Sequence, residues 1–364
     1  MAEKRRRLQR NKKQNQKLLE SSIQDVKIED SAIVGAFSID RNGNFKNDMS
    51  ALKYLKQKYW KTPQNVNFDL KEIYKNMTIK GSDPNTHNYL DRLNNLTRFI
   101  QNNSENFIKN SKIDADFVCF RGALRHVLAS FYCHQGWIIE AVKLKGTIYL
   151  ALITDCILEP IDYLTIFENC IVTSDPKRES VDDLESSDSE FCVVMSREID
   201  NLKILFGMEC DAVVSEVPIK SLDDLRNSKL IEIKSRLDKS RHYKAYFRDY
   251  KKLHWWCQSS IASIDTIYLG KRNSDDIVKT IEEIDVNSLD EPEKSHKFWN
   301  KNVCLSRLSE FLRNVKKDME DIDDPRTVFR YEWKETFTIG RINFQCFQIF
   351  LKIENFLTKI SFHL

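Results

Sequence analysis

The sequence predicts an α/β protein with central mixed β-sheets flanked by helices. Short apolar runs without proline recur along the chain, and stretches with the apolar period of a helix lie between them. At 364 residues with 41% hydrophobic side chains, the chain can bury a large core as one lobe or two closely packed ones.

The elements are expected in the following order. Residues 1–30 are polar and basic and read as a disordered arm. Within residues 1–18, eight Lys/Arg face only Glu3, a local +7. The whole chain is at +3, so the body carries about −4 and any nucleic-acid path must be a local groove. The arm itself suits nuclear targeting, RNA contact or simple solubility.

A main domain is assigned to residues 31–343, with order beginning at Ile33-Val34-Gly35-Ala36-Phe37-Ser38. Residues 86–109 read as a helix with Leu90, Leu93, Leu96, Phe99 and Ile100 on one side. Strands are expected near Phe117–Phe120 and Thr147–Ile153, around a helix at Ala123–Tyr132. Thr173–Glu190 is an acidic loop, read as solvated surface. One strand is expected over Ile204–Val214 and another over Leu230–Lys234. A helix at Tyr250–Ser263, a strand at Thr266–Leu269, a helix around Val303–Met319 and strands from Val328 complete the domain.

Residues 344–364 are left unassigned. Lys352, Glu354 and Lys359 interrupt their apolar run, so a packed strand or helix is expected there and no membrane span. None of the nine cysteines is spaced as C-x-x-C, and Cys119, Cys192 and Cys210 sit in apolar runs. They read as reduced core residues of an intracellular protein.

The candidate chemistry lies on two of the strands. Asp211 is followed twenty-one residues later by Glu232-Ile233-Lys234. The strand period of two places Glu209 with Asp211 on one face, and Glu232 with Lys234 on another. Three carboxylates and an ammonium on apolar strands are costly to bury unless they pair with each other or hold cations. Their hard oxygens suit two Mg²⁺ or Mn²⁺ ions, the equipment of metal-assisted phosphodiester hydrolysis, with Lys234 beside the attacking water. A structural Asp211–Lys234 salt bridge is the competing reading.

Other enzyme classes lack their signatures. The seven histidines show no ligand spacing and HExxH is absent, which disfavours zinc hydrolysis. There is no P-loop, no G-x-S-x-G and no Asp-Gly dipeptide, so the K-x-D-G lysine of covalent nucleotidyl transfer is missing.

Further short pieces accompany the Asp…Glu-x-Lys pattern in order over residues 33–340. They are Gly35-Ala36-Phe37-Ser38-Ile39-Asp40, Asn67-Phe68-Asp69-Leu70, Phe117-Val118-Cys119-Phe120-Arg121-Gly122, Phe167-Glu168, Phe206-Gly207-Met208-Glu209-Cys210-Asp211, Trp255-Trp256-Cys257-Gln258-Ser259 and Asp323-Asp324-Pro325-Arg326. In this the chain resembles the DXO family of decapping exoribonucleases, which includes a yeast partner of the nuclear 5′–3′ exonuclease.

The resemblance implies a nuclease-like cleft in which Glu168, Asp211 and Glu232 bind two divalent cations. Glu209 binds them directly or through water, and the Ile233 carbonyl is a further ligand. Lys234 and Gln258 lie near the scissile phosphate and attacking water, and Arg121 contacts RNA phosphate or forms a structural ion pair. Trp255 and Trp256 read as core packing. The implied substrates are RNA 5′ ends that are capped, NAD-capped or triphosphorylated. Incomplete, atypical or NAD-type caps, or pyrophosphate, would be released before 5′–3′ degradation. A 5′–3′ exonuclease is the implied protein partner, and the location is nuclear or cytoplasmic.

Some positions depart from the family pattern. Leu164 replaces a glycine, His254 a common lysine, and Gly270-Lys271-Arg272-Asn273 a Gly-Phe-Arg-Asp run; the arginine in Phe247-Arg248 is offset by one. The runner-up function is a catalytically weak or inactive RNA-end-binding adaptor of an exonuclease or transcription complex.

Overall fold

The computed structural model describes residues 25–78, 89–133, 136–153, 163–177, 189–238, 250–290, 299–333 and 345–349. Most of the basic arm, the acidic stretch 178–188 and Phe247-Arg248 lie outside the described residues.

The strands are β1 (Ala32–Ile39), β2 (Phe45–Lys46), β3 (Tyr54–Leu55), β4 (Gln64–Asp69), β5 (Ile108–Lys109), β6 (Lys112–Ile113), β7 (Phe117–Phe120), β8 (Trp137–Leu144), β9 (Thr147–Ile153), β10 (Val172–Thr173), β11 (Glu190–Ile199), β12 (Leu202–Glu209), β13 (Ala212–Val214), β14 (Lys229–Leu237), β15 (Thr266–Arg272), β16 (Ile277–Asp285), β17 (Val328–Trp333) and β18 (Gln345–Ile349). The helices are α1 (Leu70–Thr78), α2 (Tyr89–Asn102), α3 (Ser104–Phe107), α4 (Arg121–Ala129), α5 (Tyr163–Ile171), α6 (Leu222–Arg226), α7 (Lys252–Ser260) and α8 (Lys301–Asp318).

Two large sheets organise these elements. One is nine-stranded, in the order β18-β17-β8-β9-β7-β12-β11-β1-β2, and the other seven-stranded, in the order β10-β3-β13-β14-β15-β16-β4. Both are mixed: β12–β7, β7–β9, β13–β3 and β14–β15 are parallel pairs within otherwise antiparallel ladders.

Helix α2 covers one face of the larger sheet because Leu93, Leu96, Phe99 and Ile100 share a side at helical spacing. The opposite face joins α4, α7 and α8 in one apolar cluster that also takes in Ile267 and Leu269 of the smaller sheet. A third cluster packs α5 and α1 against Ile231, Ile233, Tyr268 and Val278 on the other side of that smaller sheet.

The expected strand over Ile204–Val214 is two strands. β12 ends at Glu209 in the larger sheet, and β13 begins at Ala212 in the smaller one. Residues 210 and 211 are thus the crossing between sheets, and the period-two argument that put Glu209 and Asp211 on one face does not hold. The helix expected over 86–109 also divides: α2 ends at Asn102, and α3 follows a break at Asn103, whose side chain donates to the Phe99 carbonyl. Strand β18 pairs with β17, so part of the unassigned C-terminal segment extends the larger sheet.

Cys119, Cys192 and Cys210 are buried free thiols. Trp255 and Trp256 are both buried, and Trp256 packs on Trp299 at 5.1 Å between ring centroids. No helix of the described residues is long and apolar enough to cross a membrane.

Candidate active site

The crossing between sheets creates the site. Phe120 ends β7 and Arg121 opens α4, so the arginine stands at a strand-to-helix turn beside the end of β12. Gly207 of β12 permits this closeness: a Cβ there would lie 2.8 Å from the Phe120 ring. After Cys210 the chain enters β13, which pairs Ala212 with Ile231 and so sets Asp211 beside Glu232 and Ile233 of β14. The Ile233 N–H donates to Asp211 Oδ2 at 2.7 Å.

Glu232 is fully buried, and three donors converge on it. Arg121 binds Oε1, while Oε2 accepts from Lys234 Nζ at 2.5 Å and from Gln258 Nε2 at 2.7 Å. Lys234 also reaches Asp211 Oδ2 at 3.4 Å. The strand period brings Glu232 and Lys234 to one face as expected, and α7 lowers Gln258 onto them. Arg121 donates a further bond to the Glu209 carbonyl at 3.3 Å.

These contacts divide the carboxylates into two kinds. Burial works against ionised Glu232, but the charges of Arg121 and Lys234 outweigh it and hold the carboxyl below its ordinary value. Asp211 is pushed up to about 6 by burial, with the charge of Glu232 adding to it and that of Lys234 opposing it. Glu168 is pushed well above the carboxylate range by burial first and by Asp211 next. Lys234 stays protonated, because Asp211 and Glu232 together overcome the effect of burial.

Glu168 comes from α5, which packs on the smaller sheet through the neighbouring Phe167. Gly270 of β15 makes that seat: a Cβ there would come within 2.6 Å of the Phe167 ring. Among the described residues Glu168 has no hydrogen-bond partner, and Asp211 acts on it through charge. Leu164 lies in the first turn of α5, a helical position that accommodates a side chain without strain.

Glu209 is held by a different cation, although its charge still acts on Glu168 and Asp211. Its Oε2 accepts from Arg92 of α2 at 3.1 Å, and the same guanidinium nitrogen donates to Glu190 Oε1 at 3.0 Å. Glu190, expected as the end of a solvated acidic loop, instead opens β11 and is buried, and nothing in the sequence marks Arg92; their separations from Glu209 and from each other leave no local signature. His254 sits one turn before Gln258 on α7, with Nε2 3.3 Å from Cys133 Sγ. Burial, aided by the charge of Arg125, lowers its pKa to about 4 and keeps it neutral where a lysine would be charged.

Among the described residues, no three His, Cys, Asp or Glu side chains are grouped closely enough to hold a metal ion as they stand. The donor chemistry nevertheless fits hard divalent cations such as Mg²⁺ or Mn²⁺. Asp211 and Glu168 are carboxyls gathered against their own repulsion, and a cation at that point would relieve it.

The profile of the RAI1-like PD-(D/E)XK nucleases matches residues 30–155 and 163–358. The decapping and exoribonuclease protein Rai1 of Drosophila melanogaster is 25% identical over 312 residues, covering 81% of this chain and 82% of the relative. The crystal structure of Candida albicans Rai1 in complex with pU5 and Mn²⁺ superimposes with a TM-score of 0.65 at 15% identity, covering 85% of this chain and 87% of that one. Scheffersomyces stipitis Rai1, in complex with (3′-NADP)⁺ and calcium, gives 0.63 at 16% identity, with 85% and 86% covered. The mixed α/β architecture is the one these structures share, and the matched profile spans most of the chain. This protein belongs to the RAI1-like PD-(D/E)XK nuclease family.

Proposed function

We propose that this chain is a metal-dependent hydrolase of RNA 5′ ends that removes incomplete, atypical or NAD-type caps, or pyrophosphate from a triphosphate, and then degrades the RNA 5′ to 3′. The observation that carries the reading is the convergence of Glu168, Asp211, Glu232, Lys234 and Gln258 where the chain crosses between sheets. The ligands of the related structures support the substrate class: pU5 is a 5′-phosphorylated oligonucleotide, and (3′-NADP)⁺ carries the dinucleotide of an NAD cap.

Two divalent cations, when held by Glu168, Asp211, Glu232 and the Ile233 carbonyl, with Glu209 direct or through water, would supply charge for the phosphate and lower the pKa of a water. The side chains set the remaining tasks. Arg121 fixes Glu232 through Oε1, and Gln258 fixes it through Oε2. Among the described residues the amide oxygen of Gln258 makes no hydrogen bond, and it can accept one from the attacking water and so orient it. Lys234 remains an ammonium and therefore acts by charge on phosphate or water, not as a base. His254, one turn before Gln258 on α7, adds no charge, which shifts the preference for RNA beyond the first phosphate relative to a lysine.

The test is a panel of end-labelled RNAs bearing triphosphate, unmethylated cap, NAD cap or monophosphate, incubated with protein and Mg²⁺ or Mn²⁺. Wild type should process at least one end, and Asp211→Asn none. A wild type that binds these ends but cleaves none in either metal is the adaptor.

A further inference from the structure

We propose that Arg92 is a positioning residue of this site, anchored by Glu190, and that its task is to orient the Glu209 carboxylate for a divalent cation. The inference rests on the metal-dependent reading above. It adds two residues, from α2 and from the start of β11, to which the metal-binding pattern assigns no role.

The geometry is a relay through one nitrogen. Arg92 Nη2 donates to Glu190 Oε1 at 3.0 Å and to Glu209 Oε2 at 3.1 Å. The side chain of Glu190 is 10% exposed, so its charge is a fixed counter-ion at the end of the sheet. Glu209 is different: its side chain is 41% exposed and ends a strand at the crossing. An exposed glutamate samples several rotamers, and holding it in one costs conformational entropy each time a cation binds. The bond to Arg92 fixes one carboxylate oxygen in advance. Among the described residues Oε1 makes no hydrogen bond, and it remains available as a ligand.

The arrangement has the form of a metal ligand held by an outer hydrogen-bonding partner, and loss of such a partner weakens metal affinity by about 10- to 100-fold. A guanidinium suits the task because its planar fork fixes direction, whereas an ammonium on a flexible stem supplies the same charge without it. Helix α2 holds the arginine in turn, with Leu93 and Leu96 buried against the larger sheet.

Two variants separate orientation from charge. Arg92→Lys keeps the charge and removes the fork; Arg92→Gln removes the charge. Mn²⁺ binding is measured by titration calorimetry on the full chain, alongside the melting temperature in chelator and the Mn²⁺ dependence of RNA cleavage. Arg92→Lys should melt near wild type in chelator, bind Mn²⁺ about 10-fold or more weakly, and need correspondingly more Mn²⁺ for half-maximal turnover, with kcat largely recovered at saturation. Arg92→Gln should also bind more weakly. A folded Arg92→Lys that binds Mn²⁺ within twofold of wild type would overturn the proposal. So would tighter binding by Arg92→Gln, because the arginine would then be competing with the cation. A wild type that binds no Mn²⁺ at all would instead bring down the metal-dependent reading on which the proposal rests.

Discussion

Glu232→Ala should destabilise the protein, whereas Asp211→Asn should not, although both side chains belong to the same acidic cluster. From the sequence alone, either removal is expected to leave stability equal or higher, because a buried carboxylate is costly. The geometry reverses that expectation for Glu232. Its carboxylate is the meeting point of Arg121, Lys234 and Gln258, and Arg121 and Lys234 are themselves buried. Deleting the acid leaves two cations short of a partner, which costs about 3–5 kcal/mol in comparable buried pairs. At about 2 °C per kcal/mol for a chain of this length, the melting temperature should fall by about 6–10 °C. Asp211 is in the opposite position: its carboxyl is pushed up to about 6, so at neutral pH it is ionised at a cost. Asparagine can still accept from the Ile233 N–H, and Asp211→Asn should melt at or above wild type. The assay is calorimetric melting at neutral pH in the presence of a chelator. Adding Arg121→Met to Glu232→Ala should restore part of the loss, because one orphaned cation is removed. A Glu232→Ala protein that melts at or above wild type would refute the assignment of Glu232 as the partner that holds Arg121 and Lys234 in place.

Three further outcomes are expected. His126 is buried, donates from Nδ1 to the Gly122 carbonyl at 2.8 Å, and has its pKa lowered to about 4 by burial, with Arg125 adding to the effect. The unfolded chain therefore takes up its proton first as pH falls from about 6.5 to 4, and this residue alone should cost about 3 kcal/mol of stability across that window; His126→Gln should show a shallower loss in urea titrations at the two ends. Lys234→Ala should lower turnover more than RNA affinity, and a defect confined to affinity would reassign the ammonium to the RNA backbone. Deleting residues 1–18 should weaken low-salt RNA binding and leave cleavage of a short capped oligonucleotide unchanged. Loss of cleavage on short substrates at saturation would place the arm in the site.

What was legible in the sequence is what the chain encodes locally. Glu232 and Lys234 are two residues apart on an apolar run, so their shared face follows from the strand period, and α8, β7 and β15 follow from apolar spacing in the same way. Glu168, Gln258 and Arg121 were reached only through the family resemblance, since no local pattern ties them to Asp211. The change of sheet at Cys210-Asp211 was hidden because the apolar run continues across it, although the two halves pair with different partners. Strand β16 was missed because Lys279, Glu282, Glu283 and Asp285 give its sequence the look of a surface segment, and only its inward positions, such as Val278 and Ile281, are buried. The Arg92–Glu190–Glu209 relay spans 98 and 117 residues, and contacts of that range are set by packing alone.

The distribution of charge also bears on the choice between enzyme and adaptor. Glu168, Glu190, Glu209, Asp211 and Glu232 gather around this crossing, where Arg92 bonds Glu190 and Glu209, Arg121 bonds Glu232, and Lys234 bonds Glu232 and Asp211. Asp211 and Glu168 rely on the charge of Lys234, which Glu232 shares, and Lys53 adds only a weak pull on Glu168. The charge is not balanced evenly. Glu232 is held below its ordinary pKa by its partners, while Asp211 and Glu168 are the carboxyls driven upward. A fold that needed only to bind RNA would be better served by neutral residues at those two positions, because uncompensated carboxylates repel both each other and a phosphate. Their retention beside a fully partnered Glu232 is the arrangement expected where a divalent cation completes the site, and it weighs against the adaptor on grounds independent of any likeness to known proteins.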